Sequence, residues 1–105
     1  MNYNGSNVPP TYRKSGHMVS VYGIATVKSG VTIAAGGSAT MFTLPSGYRP
    51  STELNFLQQA SGVNIWNLKV NVLGVVTLER YRNGATQAAI SNGQWLPFAF
   101  TFMTD

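Results

Sequence analysis

Between residues 80 and 95 the chain gathers side chains suited to holding a sugar. Arg80, Tyr81, Arg82, Asn83, Thr86, Gln87, Asn92, Gln94 and Trp95 crowd two turn regions. An aromatic ring packs against the C–H surface of a saccharide while amide, guanidinium and phenol groups meet its hydroxyls, so a shallow groove is enough. Arg80, Tyr81, Arg82, Asn83, Gln87 and Gln94 are therefore candidate ligand-binding residues, with Trp66 as an added aromatic from the preceding hairpin. The plainer reading of Tyr81-Arg82-Asn83 is a solvated hairpin tip. For Trp66 and Trp95 it is core or interface packing, which the phase of Trp66 favours.

Bond-breaking chemistry has little to work with. His17 is the single histidine and sits in an expected turn, with no acid beside it in the sequence to make it a base. The three carboxylates, Glu53, Glu79 and Asp105, are far apart in the chain. No nucleophile elbow, zinc-binding helix, Walker loop or calcium loop occurs. Gly36-Gly37 lacks the strand-to-helix setting of a phosphate loop. A non-enzymatic protein with no metal and no cofactor is expected.

Seven Lys and Arg against three acids give a formal charge of +4, which favours anionic partners. The basic residues are scattered, at Arg13, Lys14, Lys28, Arg49, Lys69, Arg80 and Arg82, without a basic run. Binding single-stranded nucleic acid needs cations and aromatics interleaved on one open face. The late phenylalanines instead keep an inward phase, so nucleic acid is not favoured. Cysteine is absent, which removes disulfides and thiolate metal sites. No apolar run approaches the ~20 residues of a membrane-spanning helix, so membrane insertion is not expected.

The elements that must position these residues are strands. In HMVSVYGIATV, Val19, Val21, Ala25 and Val27 share one phase, and Ser15-Gly16 reads as a hairpin turn that pairs YRK with MVSVYG. Lys28–Gly30 and Ala34–Ser38 are further turn signals; TMFTL and TELNFLQQ are strands. In NIWNLKVNVLGVVTLERY, a three-residue loop Val72-Leu73-Gly74 puts Gly74 at the left-handed position. It sets Val70 opposite Val76, Leu68 opposite Leu78, Asn67 opposite Glu79 and Trp66 opposite Arg80. Asn83-Gly84 signals another hairpin, and SNGQW turns into WLPFAFTFM, where Leu96, Phe98, Phe100 and Phe102 alternate inward. Pro97 lacks a ladder donor and marks an edge strand or a bulge. Helical spacing is absent throughout. The 105 residues suit one all-β domain, a small antiparallel barrel or sandwich of about six to eight strands over residues 11–105. Residues 1–10, MNYNGSNVPP, read as a linker or the stub of an upstream neck.

The order of YRKSGHMVSVYG, FTLPSGYRPSTELNF, VNVLGVVTL and NGQWLPFAFTF resembles the C-terminal receptor-binding head domains of tail-fibre and baseplate proteins from phages of Gram-positive bacteria, lactococcal phages among them. The likeness runs from about Tyr12 to Met103, and LPSGYRPS is its most specific piece. It implies a homotrimeric β-barrel head at a virion tail tip, acting outside the cell. Such a head grips a host cell-wall saccharide and docks to other baseplate or tail proteins. It also implies that LPSGYRPS is a rigid corner anchored by Tyr48 and Arg49, with ligand contact by Arg49 as the alternative. The saccharide sites of that class use a His and an Asp with a Trp and an Arg late in the head. This chain has no His or Asp between Met18 and Thr104, so that site does not carry over.

Overall fold

Alternation of apolar residues decides both the strands and the faces they bury. In the computed structural model, residues 8–27, 32–60, 62–90 and 94–104 are described. They form β1 (Val8–Ser15), β2 (Met18–Thr26), β3 (Ser38–Thr43), β4 (Leu54–Gln59), β5 (Asn64–Val70), β6 (Val75–Asn83), β7 (Thr86–Gln87) and β8 (Trp95–Met103). The fold is all-β, with no helix among the described residues. β1-β2-β8 make a three-stranded antiparallel sheet; β3-β6-β5-β4 make the second, with β7 added to β6. The sheets are not closed into a barrel, so of the two expected architectures the sandwich is the one formed.

The expected inward phases are buried. Val19, Val21, Ala25 and Val27 are core, as are Leu96, Phe98, Phe100 and Phe102. From the other sheet Trp66, Leu68, Val70, Val76 and Leu78 meet them. Aromatic contacts tie the layers: Phe56 stacks on Phe100 at 5.2 Å between centroids, and Phe42 lies 5.3 Å from Phe98. Each buried ring or branched side chain of this kind contributes about 1.5–3 kcal/mol relative to exposure. β8 is an edge strand, so Pro97, paired with Ile24, loses no ladder bond.

The β5–β6 hairpin has the expected three-residue loop: Asn71 N–H donates to Val75 O, and Gly74 has φ 80°. Val70↔Val76, Leu68↔Leu78 and Asn67↔Glu79 all pair. Trp66↔Arg80 does not. The register shifts there, Ile65 pairs with Arg82, and both Arg80 and Tyr81 stand against Trp66. At the first hairpin Ser15 pairs with Met18, leaving Gly16-His17 as the turn. Asn83 pairs with Thr86, so the next turn is Gly84-Ala85, one residue later than the Asn-Gly signal suggests. β1 begins at Val8, which takes three residues of the expected linker into the sheet. Pro9-Pro10 fall in a register shift of an edge strand, where missing N–H groups cost nothing. The expected turns at Lys28–Gly30 and Ser91–Gly93 lie outside the described residues.

LPSGYRPS is a corner, and its contacts are structural. Tyr48 N–H closes a turn on Pro45 O, with Gly47 at φ 91° as the third residue of a type II-like turn. Arg49 Nε donates to Leu44 O at 3.1 Å, and Leu44 N–H donates to Gly74 O at 2.8 Å. The corner thus rests on the β5–β6 turn, so closely that a Cβ on Gly74 would lie 2.7 Å from Leu44 O. Lys14 Nζ donates to Gly47 O, Thr104 Oγ1 donates to Arg49 O, and the Tyr12 ring meets Tyr48 edge-on at 4.9 Å.

Candidate functional site

The outer face of the four-stranded sheet carries a polar network built by strand register. Directly paired residues share a face. Lys69↔Thr77, Asn67↔Glu79 and Ile65↔Arg82 therefore form successive outward rows, with Asn55↔Lys69 and Leu57↔Asn67 extending them onto β4. Asn67 Nδ2 donates to Asn55 Oδ1 at 2.9 Å and to Glu79 Oε1 at 3.0 Å. Lys69 Nζ lies 3.6 Å from Glu79 Oε2, and Arg80 Nε lies 4.0 Å from Glu79 Oε1. Glu79 is thereby the hub that holds the Asn67 amide and the Lys69 ammonium, with Arg80 at the outer limit of an ion pair. Gln87, paired with Arg82, continues the row onto β7.

The bulge at Arg80 decides which side chains reach this face. Simple alternation from Val76 and Leu78 would send Arg80 inward and Tyr81 outward. The extra residue reverses this: the Arg80 side chain is 74% exposed and Tyr81 is buried. Arg80 has φ 55°, the single positive-φ residue besides glycines among those described. A non-glycine residue there carries about 1–2 kcal/mol of strain.

Two candidates leave the set on accessibility. Trp66 is fully buried in the core, where its phase places it, and cannot meet a ligand. Tyr81 turns in after the bulge, and its hydroxyl accepts a hydrogen bond from Asn64 Nδ2 at 2.9 Å. The structure brings Arg80, Arg82, Asn83 and Gln87 to one end of the four-stranded sheet, where Arg82 is half-buried and the others are exposed. Gln94 lies just before β8, which belongs to the other sheet, and is half-buried. Asn92 lies outside the described residues. Sequence reasoning passed over Asn55, Asn67, Lys69 and Glu79. The signal was present in the polar phase Asn67, Lys69, Asn71 and in the register that sets Asn67 opposite Glu79.

The opposite surface has another character. The outer face of the three-stranded sheet pairs Met18↔Met103, Ser20↔Thr101, Tyr22↔Ala99, Ile24↔Pro97 and Thr26↔Trp95. Met18, Tyr22, Trp95 and Met103 are 45–60% exposed. Within these rows Ser20 Oγ and Thr101 Oγ1 are hydrogen-bonded at 3.2 Å.

A seam joins the sheets where the edges of β4 and β8 run side by side. Gln58, buried, donates from Nε2 to Ala99 O and accepts from Ala99 N–H at Oε1. One side chain makes both bonds that a neighbouring strand would make. Beside it lies a shallow groove of about 320 Å³, lined by Leu57, Gln59, Pro97 and Phe98. Among the described residues no group of three or more His, Cys, Asp or Glu could hold a metal ion.

No protein-family model matches this chain, and no curated protein matches it either.

Proposed function

We propose that this chain is a non-catalytic adhesion domain of the phage receptor-binding kind, and that it holds a host cell-surface saccharide on the outer face of the four-stranded sheet. The observation that carries the reading is the pre-ordered network Asn55–Asn67–Glu79–Lys69, with Arg80, Arg82 and Gln87 alongside. Amides and guanidinium groups held in fixed rows match hydroxyls and anionic oxygens on a polymer without needing a deep pocket. The +4 charge suits a phosphate-bearing wall polysaccharide.

Weak single-site binding, near millimolar or about 4 kcal/mol, suits such a surface. A homotrimer repeated on a virion tail tip multiplies it through effective concentration. The apolar outer face of β2 and β8 is where copies would meet, since it offers Met18, Tyr22, Trp95 and Met103 to a partner. The same face also favours a second reading, a structural module that only docks to other baseplate or tail proteins.

Binding to purified cell walls and to a glycan array separates the two. The adhesion reading expects wild-type binding that Arg82→Ala weakens at least several-fold without a change in melting temperature. Absence of binding to every glycan, with the assembly intact, would leave docking as the function.

A further inference from the structure

The least economical residue on the polar face is Arg80. Its backbone is left-handed, a conformation that glycine adopts freely and arginine does not. The bulge turns Tyr81 into the core, but that task needs only the backbone. The arginine side chain packs little: it is 74% exposed, and its contact with Glu79 is a long 4.0 Å at Nε. Strained residues of this sort point to a use outside the fold.

The neighbourhood indicates which use. Lys69, Arg80 and Arg82 follow one another along the outer face, against the one acid Glu79. Arg82 Nε is buried without a hydrogen-bond partner, so at least one guanidinium donor of this row is not spent within the chain. Glu79 pins Lys69 and Asn67, and the Arg80 side chain beside it stays 74% exposed.

We propose that Lys69, Arg80 and Arg82 form an anion subsite for phosphodiester or carboxylate groups spaced along a polysaccharide, and that Arg80 is its specificity-determining residue. The subsite rests on the adhesion reading above and locates its charged contact. Arg forks match paired anionic oxygens, and Arg80 and Arg82 on β6 with Lys69 on the neighbouring β5 set three cations on one face, which suits a polymer with repeated charges.

The test uses the full chain with three probes: poly(glycerol phosphate), polygalacturonate and neutral dextran. Wild type is expected to bind at least one polyanion in a salt-dependent way and not dextran. Binding to the first alone identifies phosphate, and binding to both identifies shared anion chemistry. Arg80→Gly is expected to weaken polyanion binding at least tenfold while the melting temperature stays level or rises, because the strain is relieved. Arg80→Asn, which tolerates the left-handed backbone, should lose binding equally. Unchanged affinity in both variants overturns the proposal, as does a fall of several degrees in melting temperature for both, which would make Arg80 structural. A wild type that binds neutral glycans on the array but neither polyanion overturns the anion subsite and leaves the adhesion reading standing; one that binds no glycan at all overturns both.

Discussion

The two outward sheet faces of this sandwich obey the same alternation and end with opposite surfaces. On β5 and β6 the inward phase is apolar and the outward phase is Asn67, Lys69, Thr77 and Glu79, joined by hydrogen bonds. On β2 and β8 the inward phase is equally apolar, yet the outward phase includes Met18, Tyr22, Ile24, Trp95, Pro97 and Met103. A strand apolar on both phases reads like one covered on both faces. One sheet ends in a solvated polar network, and the other exposes large apolar side chains of the kind that a covered face carries. The lesson is that inner faces specify the fold, while the outer faces are free to differ in chemistry, one polar and networked, the other largely apolar.

That division can be broken first at the core the sheets share. Phe100→Ala and Tyr81→Ala should each lower stability by about 3–5 kcal/mol in denaturant unfolding, because both side chains are buried between the layers. A Tyr81→Ala protein of near-native stability would return that ring to the surface and erase the bulge's effect. Next comes the seam. Gln58→Leu removes both hydrogen bonds to Ala99 at a part-buried edge, at a cost of about 1–3 kcal/mol for the two. Amide hydrogen exchange at Ala99 should quicken while Phe98 and Phe100 stay protected by β2; equal exchange in both proteins would mean Gln58 holds nothing. The smallest stability effect belongs to the apolar face. Tyr22→Ser should change monomer stability by about 0.5 kcal/mol or less, since an exposed substitution touches no core contact. Its effect should appear in sedimentation as a loss of self-association. A large loss of stability with unchanged sedimentation would show that the face serves its own chain.

Much of this arrangement was legible in the residues themselves. The closing phenylalanines, the valines of β2 and the Val72-Leu73-Gly74 loop lie where period-two alternation and turn chemistry put them. The LPSGYRPS corner is likewise structural, its Arg49 Nε spent on Leu44 O. The candidate site was legible in composition but not in membership. Trp66 and Tyr81 are core, and the polar network of Asn67, Lys69 and Glu79 lies along the strands rather than at the hairpin tip where the candidates were gathered. The inward turn of Tyr81 has one source. A bulge adds a residue without changing the local pattern of types, so ERYRN reads as continuous alternation until a partner strand shows the slip.

What the sequence determined by itself is local: which stretches are strands, which phase is apolar, and that β8 is an edge or bulged at Pro97. Side-chain type and period-two geometry suffice for those. Tertiary structure alone decided that β8 joins β2, that Gln58 bridges the open seam, and that Arg80 turns outward while Tyr81 turns in. The first two depend on pairing between segments far apart in the chain, whose contacts no local window of residues contains. The third depends on the register that β5 and β6 adopt, which the side-chain pattern alone does not show.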